Sequence, residues 1–294
     1  MISILIPSYN VDLIPLVDFL QDQSIRLAVK MEIIIWDDAS AADFSFLKER
    51  ENISFYRSSV NLGRARTRNL LAEKAVFPYL LFLDADVFPV DSLFLKQYAQ
   101  LASPDTILVG GIRYKDKAPG TNQFFRWFYG KAREELSVEK RSKNPYLHFM
   151  TGNFFSPTAL FFRFPFVHFL HGYGHEDTLL GFTFQQENIS VRHIDNPVYH
   201  LGLDHNEVFL SKSKEAVLSL LQLKKKGYHL PSKLNTAYDF LEKYKLNRFF
   251  AILFSIFEFF QLKKVIFPGY FYSLFLFDLY KLSFYCKVSL ERGK

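Results

Sequence analysis

The sequence predicts an α/β fold, in which helices cover both faces of a mostly parallel β-sheet. Over the first hundred residues, apolar runs rich in β-branched residues alternate with segments of helical spacing, as in successive βαβ units. The apolar runs are continuous, which is typical of strands that helices bury on both faces. A chain of 294 residues is also long enough to bury a large core.

The elements are predicted in a simple order. The first strands are ISILIP, MEIIIWDD and YLLFLDAD, and the helices between them are LIPLVDFLQDQ and GRARTRNLLAEKA. Further along, ILVGGIRY and VRHIDNPVYHLG are each predicted as a strand, and HFMTGNFFSPTALFF as a strand and turn. NQFFRWFYGKAREEL is a predicted helix, and GYGHEDTLLGF is a glycine-bearing loop that enters a helix.

A change in composition near residue 210 predicts two parts. Residues 1–210 carry 21 Lys and Arg against 24 Asp and Glu, whereas residues 211–294 carry 15 against 6. The second part is therefore predicted to be a basic, aromatic-rich helical extension. Because the positive charge belongs to this part alone, we expect no nucleic-acid partner.

Cysteine use and the first residues indicate a cytoplasmic protein. Cys286 is the only cysteine, which excludes an intrachain disulfide and a thiolate zinc cluster. Met1 runs directly into an apolar strand without a basic region or a small-residue cleavage site, so no secretory signal is expected.

Polar residues follow the predicted strands at their carboxyl ends, where α/β sheets bind ligands. Asp84 and Asp86 come directly after the apolar run YLLFL, one residue apart. Two hard oxygen donors so placed suit Mg²⁺ or Mn²⁺ shared with a diphosphate. The alternative is an ordinary surface turn that contains two aspartates.

Four short motifs carry a family resemblance. PSYN, IIIWDDAS, NLGRARTRN and FLDADVFP occur in this order, and over residues 2–205 the chain resembles the family 2 glycosyltransferases of the GT-A fold. The resemblance implies a Rossmann-like nucleotide-binding sheet, a nucleotide-sugar donor, and an Asp-x-Asp metal motif at Asp84 and Asp86.

The resemblance also implies which residues hold the donor nucleotide. Pro7, Tyr9 and Asp38 would cradle the base and ribose, Arg68 would contact the base or diphosphate, and Asp84 would lie near the ribose. For Asp37 and Asp38 the alternative is a pair of helix N-cap residues. Arg64 and Arg66 are expected to be solvated, and Thr67 replaces the Ala that usually precedes this arginine in the family.

The metal site implied by the resemblance combines carboxylates with a histidine. Asp86 would ligate the metal directly, Asp84 would lie beside it, and His200 is the first choice for the histidine. His205 is the second choice. His193 could equally be a structural residue of a strand.

The sequence GYGHED places two carboxylates at a predicted helix N-terminus, where the helix dipole favours them. Simple capping is one explanation. The segment also resembles the Glu-Asp motif of polymerising family 2 enzymes and galactosyltransferase-like domains. That resemblance implies Asp177 as the catalytic base and Glu176 as the acceptor ligand, with exchanged roles as the alternative.

The segment MTGNFF resembles that group's Gly-Gly-Asn segment, which lines the donor sugar. The match implies sugar or acceptor contacts for Gly152 and Asn153, and Thr151 replaces the first glycine.

Two apolar runs, at 249–257 and 265–277, mark the extension. Each is shorter than the roughly 20 residues that a membrane-spanning helix needs. With basic residues at their margins they could lie in an anionic membrane surface, which predicts a peripheral position at the inner face. Packing on the protein or a homodimer interface is the alternative.

These observations together predict an inverting, metal-dependent glycosyltransferase. We expect a UDP-sugar donor, Mn²⁺ or Mg²⁺, and a glycan or lipid-linked acceptor, as in polysaccharide or cell-surface glycan synthesis. The alternatives are a sugar nucleotidylyltransferase, against which the lack of glycine in IPSYNVDLIP counts, and a catalytically silent membrane-associated scaffold that binds nucleotide or glycan.

Overall fold

A central seven-stranded sheet forms the core of the fold. The computed structural model describes residues 1–167, 172–259 and 273–291. The strands of this sheet are β1 (Ile2–Ser8), β2 (Met31–Asp37), β3 (Ile53–Arg57), β4 (Tyr79–Leu83), β6 (Thr106–Val109), β8 (Asn153–Pro157) and β9 (Ser190–His193). A second sheet of three short strands contains β5 (Val87–Pro89), β7 (Ile112–Arg113) and β10 (Val198–His200).

The order of the central sheet is β3-β2-β1-β4-β8-β6-β9. Only β8 runs antiparallel to its neighbours, β4 and β6, among the pairs of the described residues. The predicted α/β fold with a mostly parallel sheet is therefore confirmed.

Helices occupy the connections and most of the chain after residue 205. A short 3-10 helix spans Ser45–Glu49. The α-helices of the described residues are α1 (Ile14–Leu27), α2 (Arg64–Lys74), α3 (Phe94–Leu101), α4 (Thr121–Arg133), α5 (Val138–Ser142), α6 (Thr158–Arg163), α7 (Glu176–Gln186), α8 (Asn206–Lys225), α9 (Lys233–Lys243), α10 (Asn247–Phe259) and α11 (Leu274–Glu291).

The apolar strands form the core that the sequence predicts. Ile4 of β1 lies between Ile33 of β2 and Leu81 of β4 in the ladder, and all three are fully buried. Phe82 of β4 stacks on Phe154 of β8, with ring centroids 4.5 Å apart. Burial on both faces explains why these strands lack the polar alternation of a solvent-exposed sheet.

Two segments predicted as single strands are each divided between the two sheets. ILVGGIRY forms β6 and β7, which are separated by Gly110 and Gly111, and Gly111 has a φ of +93° that most residues avoid. VRHIDNPVYHLG likewise forms β9 and β10. The segment HFMTGNFFSPTALFF contains the predicted strand and turn, and also helix α6, which was not predicted.

The antiparallel strands bring distant residues to one edge. Because β8 runs opposite to β4, its first residue, Asn153, pairs with the last residue of β4, Leu83. In the small sheet, β10 runs antiparallel to β5 and pairs His200 with Val87. The starts of β8 and β5 therefore lie beside the ends of β4 and β10.

The described chain divides into two compact units. The first comprises Met1–Lys115, Glu134–Phe169 and Glu176–Gly202, and the second comprises Asp116–Arg133, Leu170–His175 and Leu203–Lys294. The predicted boundary near residue 210 stays a prediction.

The second unit has an aromatic core of its own. Phe125 of α4, Phe254 of α10, and Phe277 and Tyr280 of α11 are buried in it together. None of the helices in the described residues is long and apolar enough to cross a membrane. Most of the predicted apolar run 265–277 lies outside the described residues.

We expect Phe82→Ala to lower the free energy of unfolding by about 3–5 kcal/mol, because it leaves a cavity beside Phe154 in the centre of the sheet. Denaturant unfolding measures this loss. Phe162→Ala is the matched control, since Phe162 is 49% exposed and its loss should cost less than about 1 kcal/mol. Equal effects of the two substitutions would contradict the described core.

Candidate active site

The carboxyl end of β4 is joined closely to the start of β8. The backbone N–H of Asp84 donates to the carbonyl of Gly152 at 3.2 Å. A Cβ on Gly152 would lie 2.9 Å from Asp84 Oδ2, so a larger residue would displace that carboxylate. The predicted site residues Asp84, Gly152 and Asn153 are thus brought together.

Arg68 of α2 lies at the centre of this edge and is 1% exposed. Its Nη2 donates to Asp84 Oδ1 at 2.6 Å, and its Nη1 lies 3.6 Å from Glu176 Oε1. The guanidinium carbon also lies 5.5 Å from the centroid of the Phe166 ring. Arg68 therefore joins a carboxylate after β4 to one at the start of α7, and its predicted contact with the nucleotide stays a prediction.

Asp86 and His200 meet because β5 pairs with β10. His200 Nε2 lies 3.4 Å from Asp86 Oδ2. The N–H groups of Leu201 and Gly202 both donate to the Asp86 carbonyl, at 2.8 and 3.3 Å. A Cβ on Gly202 would lie 2.6 Å from the Asp86 Cβ, so only glycine leaves room here.

The charges around Asp86 favour its ionised form. Burial alone would raise the pKa of Asp86, but the hydrogen bond and charge of His200 and the charge of Arg64 hold this pKa below its usual value. The Tyr114 ring packs edge-on against His200, with centroids 5.6 Å apart. The site thus combines an ionised carboxylate with an imidazole held in a fixed orientation.

The Asp86 and His200 donors fit a divalent cation. An imidazole nitrogen and a carboxylate oxygen 3.4 Å apart can share one ion. Within residues 1–167, 172–259 and 273–291, no group of three or more His, Cys, Asp or Glu side chains is arranged to hold a metal. Such a cation would need further oxygens from a diphosphate and water, as Mg²⁺ sites commonly have.

Glu176 and Asp177 are the first two residues of α7. Asp177 Oδ1 accepts hydrogen bonds from the Thr178 N–H at 2.6 Å and the Thr178 hydroxyl at 3.2 Å. Burial and the neighbouring charge of Glu176 raise the pKa of Asp177 to about 6. A carboxylate with this pKa is ionised near neutral pH and basic enough to take a proton.

Asp38, a predicted nucleotide-binding residue, follows β2 and is buried. Its carboxylate accepts from the N–H groups of Leu62 and Gly63, at 2.7 and 2.9 Å. These bonds hold the loop that leads into α2. Asp38 is not a helix N-cap, because the residue that precedes α2 is Gly63.

Asp37 is not a helix N-cap either. It ends β2 and forms an ion pair with Arg57 at 3.2 Å. Pro7 lies in β1, and Tyr9 directly after β1 is 52% exposed, so its ring is available to a ligand. Arg64 and Arg66 are both exposed residues of α2.

Asn153 is part of the scaffold in this structure. Its Oδ1 accepts from the Tyr98 hydroxyl at 2.7 Å, and its Nδ2 donates to the carbonyls of Gly111 and Asn196 at 3.0 and 2.9 Å. Its predicted contact with a sugar or acceptor stays a prediction. The bonds instead fix the turn between β6 and β7.

The other two candidate histidines have different surroundings. His193 Nδ1 lies 2.7 Å from Arg141 Nη1, and its Nε2 lies 2.9 Å from the Pro145 carbonyl. Burial lowers the pKa of His193 to about 4, and the Arg141 charge adds to that shift. His205 precedes α8 in the second unit, with Nδ1 3.4 Å from Asn122 Nδ2. His193 is thus a structural residue of β9, which was the alternative to a role as a metal ligand.

Sequence reasoning missed three features of the site. The link that Arg68 makes between Asp84 and Glu176 joins residues far apart in the chain, and no sequence signal reveals it. The close approach of Gly202 to Asp86 and the contact of Tyr114 with His200 were also missed. The glycine directly after VYHL was the one available signal, since glycine often marks a close approach of the backbone.

More than half of the chain matches the model of a known family. The family model described as "Glycosyl transferase family 2" matches residues 3–169. The chain belongs to glycosyl transferase family 2. It is therefore a glycosyltransferase, and the nucleotidylyltransferase and silent-scaffold alternatives are set aside.

Solved structures of glycosyltransferases share the fold. Mannosyl-3-phosphoglycerate synthase from Rubrobacter xylanophilus has 15% identity and a TM-score of 0.56, over 79% of this chain and 76% of that one. Glucosyl-3-phosphoglycerate synthase from Mycobacterium tuberculosis, crystallised with Mn²⁺, UDP and glucosyl-3-phosphoglycerate, has 17% identity and a TM-score of 0.51, over 79% and 81%.

A third structure spans the whole chain. S. aureus TarS 1–349 in complex with UDP has 16% identity and a TM-score of 0.50, over 100% of this chain and 92% of that one. At these identities the likeness concerns the fold, which is that of the GT-A glycosyltransferases. No curated protein matches the chain.

We expect Arg68→Ala to lower the free energy of unfolding by about 2–4 kcal/mol, because it leaves Asp84 and Glu176 without their buried cation. Chemical denaturation checks this value. Arg66→Ala removes an exposed arginine from the same helix and should change stability by less than about 0.5 kcal/mol. If both substitutions cost the same small amount, Arg68 does not hold the site together.

Proposed function

We propose that this family 2 glycosyltransferase is a metal-dependent, inverting enzyme that moves a sugar from a UDP-sugar to a hydroxyl of a glycan or lipid-linked acceptor. One observation carries the proposal. Arg68 lies between Asp84 on the side of Asp86 and His200, and Glu176 on the side of Asp177, whose pKa is raised. Groups suited to a diphosphate and to an acceptor hydroxyl are thereby held on the same edge of one sheet.

On the donor side, Pro7, Tyr9 and Asp38 would bind the nucleoside. Support comes from the exposed ring of Tyr9 at the end of β1 and from the carboxylate of Asp38, which orders the loop before α2. Arg68 is buried against Asp84, so we propose that it acts mainly by positioning that carboxylate. Gly152 lets the Asp84 carboxylate lie close to the backbone before β8, and we propose that the donor sugar or ribose binds beside this pair.

Asp86 and His200 would hold Mn²⁺ or Mg²⁺, with Asp84 beside them. A bound divalent cation would neutralise negative charge on the departing diphosphate. The glucosyl-3-phosphoglycerate synthase structure contains Mn²⁺ and UDP together, which supports the same pairing here. The narrow fit of Gly202 against Asp86 would keep this carboxylate in position.

On the acceptor side, Asp177 would act as the general base. It would take the proton of the acceptor hydroxyl while that oxygen bonds to the anomeric carbon. The bond from the anomeric carbon to the diphosphate oxygen would break on the opposite face, which inverts the configuration. Glu176 would hold the acceptor, and an exchange of roles between Glu176 and Asp177 is the alternative that experiment must separate.

The acceptor class and location follow from the C-terminal extension. Residues 211–294 carry a charge excess of 15 basic against 6 acidic side chains, which favours a peripheral position on an anionic membrane surface. A lipid-linked glycan at the inner face of the membrane would then be within reach. A homodimer built by the same extension is the competing proposal.

Asp86→Ala should raise the Kd of Mn²⁺-dependent UDP binding at least about tenfold, because it removes the carboxylate nearest His200. Isothermal titration calorimetry with and without chelator measures the change. Asp105→Ala, which removes an exposed aspartate outside the site, should leave the Kd unchanged. UDP binding that ignores both the chelator and the Asp86 substitution would refute the metal site.

Asp177→Asn should lower kcat at least about 100-fold and leave UDP-sugar affinity intact, because it removes the base and not the donor site. In the wild type, the rate should fall as pH drops below about 6, where Asp177 takes up a proton and stops acting as a base. Nucleotide release from a panel of nucleotide sugars with Mn²⁺ gives both readouts.

Two further variants complete this test. Glu187→Gln neutralises an exposed acid just after α7 and should behave as the wild type. Glu176→Gln should weaken acceptor use while keeping the acidic limb of the pH profile. If Glu176→Gln removes that limb and Asp177→Asn retains it, the two roles are exchanged.

A further inference from the structure

Helix α10 has an apolar face on each side. Phe254 and Phe257 point into the aromatic core of the second unit and are 4% and 5% exposed. On the other side, Phe249, Ile252 and Ile256 are 65%, 62% and 42% exposed. These three residues, called here the α10 stripe, have the spacing i, i+3, i+7 and so lie along one side of the helix.

Basic residues lie at the N-terminal end of the α10 stripe. Between residues 243 and 257 the only charged side chains are Lys243, Lys245 and Arg248, and all three are exposed. A surface helix normally places polar or mixed charges on its outer face. Here the outer face is apolar and three cations precede or begin the helix, while the flanking acids Glu242 and Glu258 are paired with Lys224 and Lys214.

The end of α9 extends the same kind of surface. Phe240 and Tyr244 are 57% and 56% exposed, one helical turn apart, and their ring centroids are 4.7 Å apart. Aromatic rings beside basic residues are typical of segments that lie in the headgroup region of a bilayer.

The length of α10 and the charges near it favour a lipid bilayer over a second copy of the chain as the partner of the α10 stripe. Helix α10 has 13 residues, a length of about 20 Å, which is too short to cross the hydrocarbon core but enough to lie along its surface. A second copy of the chain would bring the same cations against Lys243, Lys245 and Arg248, and like charges oppose such a contact. The phosphates of an anionic bilayer complement them.

We infer that the α10 stripe inserts into the headgroup layer of an anionic lipid bilayer, with Lys243, Lys245 and Arg248 paired to lipid phosphates. This inference deepens the proposed membrane location and rests on it. It assigns the contact to one face of one helix, whereas the charge excess alone assigns it to the whole extension.

Sedimentation with phosphatidylcholine vesicles that do or do not contain phosphatidylglycerol tests the inference on the full chain. We expect wild-type protein to bind the anionic vesicles, and to bind them less at high salt because the lysine and arginine contacts are screened. The triple variant Phe249→Ser, Ile252→Ser, Ile256→Ser should lower the vesicle partition coefficient at least about tenfold.

Matched controls replace exposed apolar residues of the first unit. Ile25→Ser, Val60→Ser and Val76→Ser together remove apolar side chains that are 84%, 61% and 73% exposed. This control should bind vesicles as the wild type does. Thermal melting should give similar transitions for both triple variants, because all six positions are exposed.

A charge variant gives a second, independent measurement. Lys243→Gln, Lys245→Gln and Arg248→Gln together should weaken binding to anionic vesicles several-fold and leave any binding to neutral vesicles unchanged. The matched control carries glutamine at three exposed lysines of the first unit, Lys48, Lys96 and Lys143, and should bind normally.

The outcomes separate this inference from the proposals on which it rests. If the wild type binds vesicles and the stripe variant binds equally well, another surface makes the contact and the inference fails. If the wild type does not bind, the membrane location itself fails. If light scattering shows a wild-type dimer that the stripe variant loses, the occupant is a second copy. Nucleotide release without vesicles reports separately on the proposed chemistry.

Discussion

The site depends on one buried cation. Arg68 is almost completely removed from solvent, and an isolated guanidinium in that position would be very costly. Asp84 at 2.6 Å and Glu176 at 3.6 Å compensate its charge, and they come from the end of β4 and the start of α7. Since each partner must stay near the cation, three separate parts of the chain are held in one arrangement.

The charge of Arg68 also affects the pKa of Asp177, the proposed base. Desolvation and the neighbouring charge of Glu176 disfavour the ionised form of Asp177 and raise its pKa. The positive charge of Arg68 opposes that effect and lowers the pKa of Asp177, although burial and Glu176 keep it above the usual value. The same side chain thus orders the donor edge and tunes the proposed base.

Two of the three antiparallel pairings among the described strands explain how a mostly parallel sheet accommodates the site. The start of β8 lies beside the end of β4, so Gly152 contacts Asp84. The pairing of β10 with β5 likewise brings His200 close to Asp86. In both places a glycine leaves the space that a carboxylate needs, so backbone topology and side-chain size act together.

Much of the fold and part of the site were determined by the sequence itself. Continuous apolar strands with helices between them require a buried, mostly parallel sheet, and the motifs at the ends of β1, β2 and β4 are local in the chain. The division of ILVGGIRY between two sheets, the burial of Arg68 against Glu176, and the meeting of Asp86 with His200 were decided only by the tertiary structure. Local sequence patterns indicate how a segment is buried. They do not indicate which distant residue pairs with a buried charge or which distant strand pairs with a given strand. That choice depends on the energy of the whole packed chain.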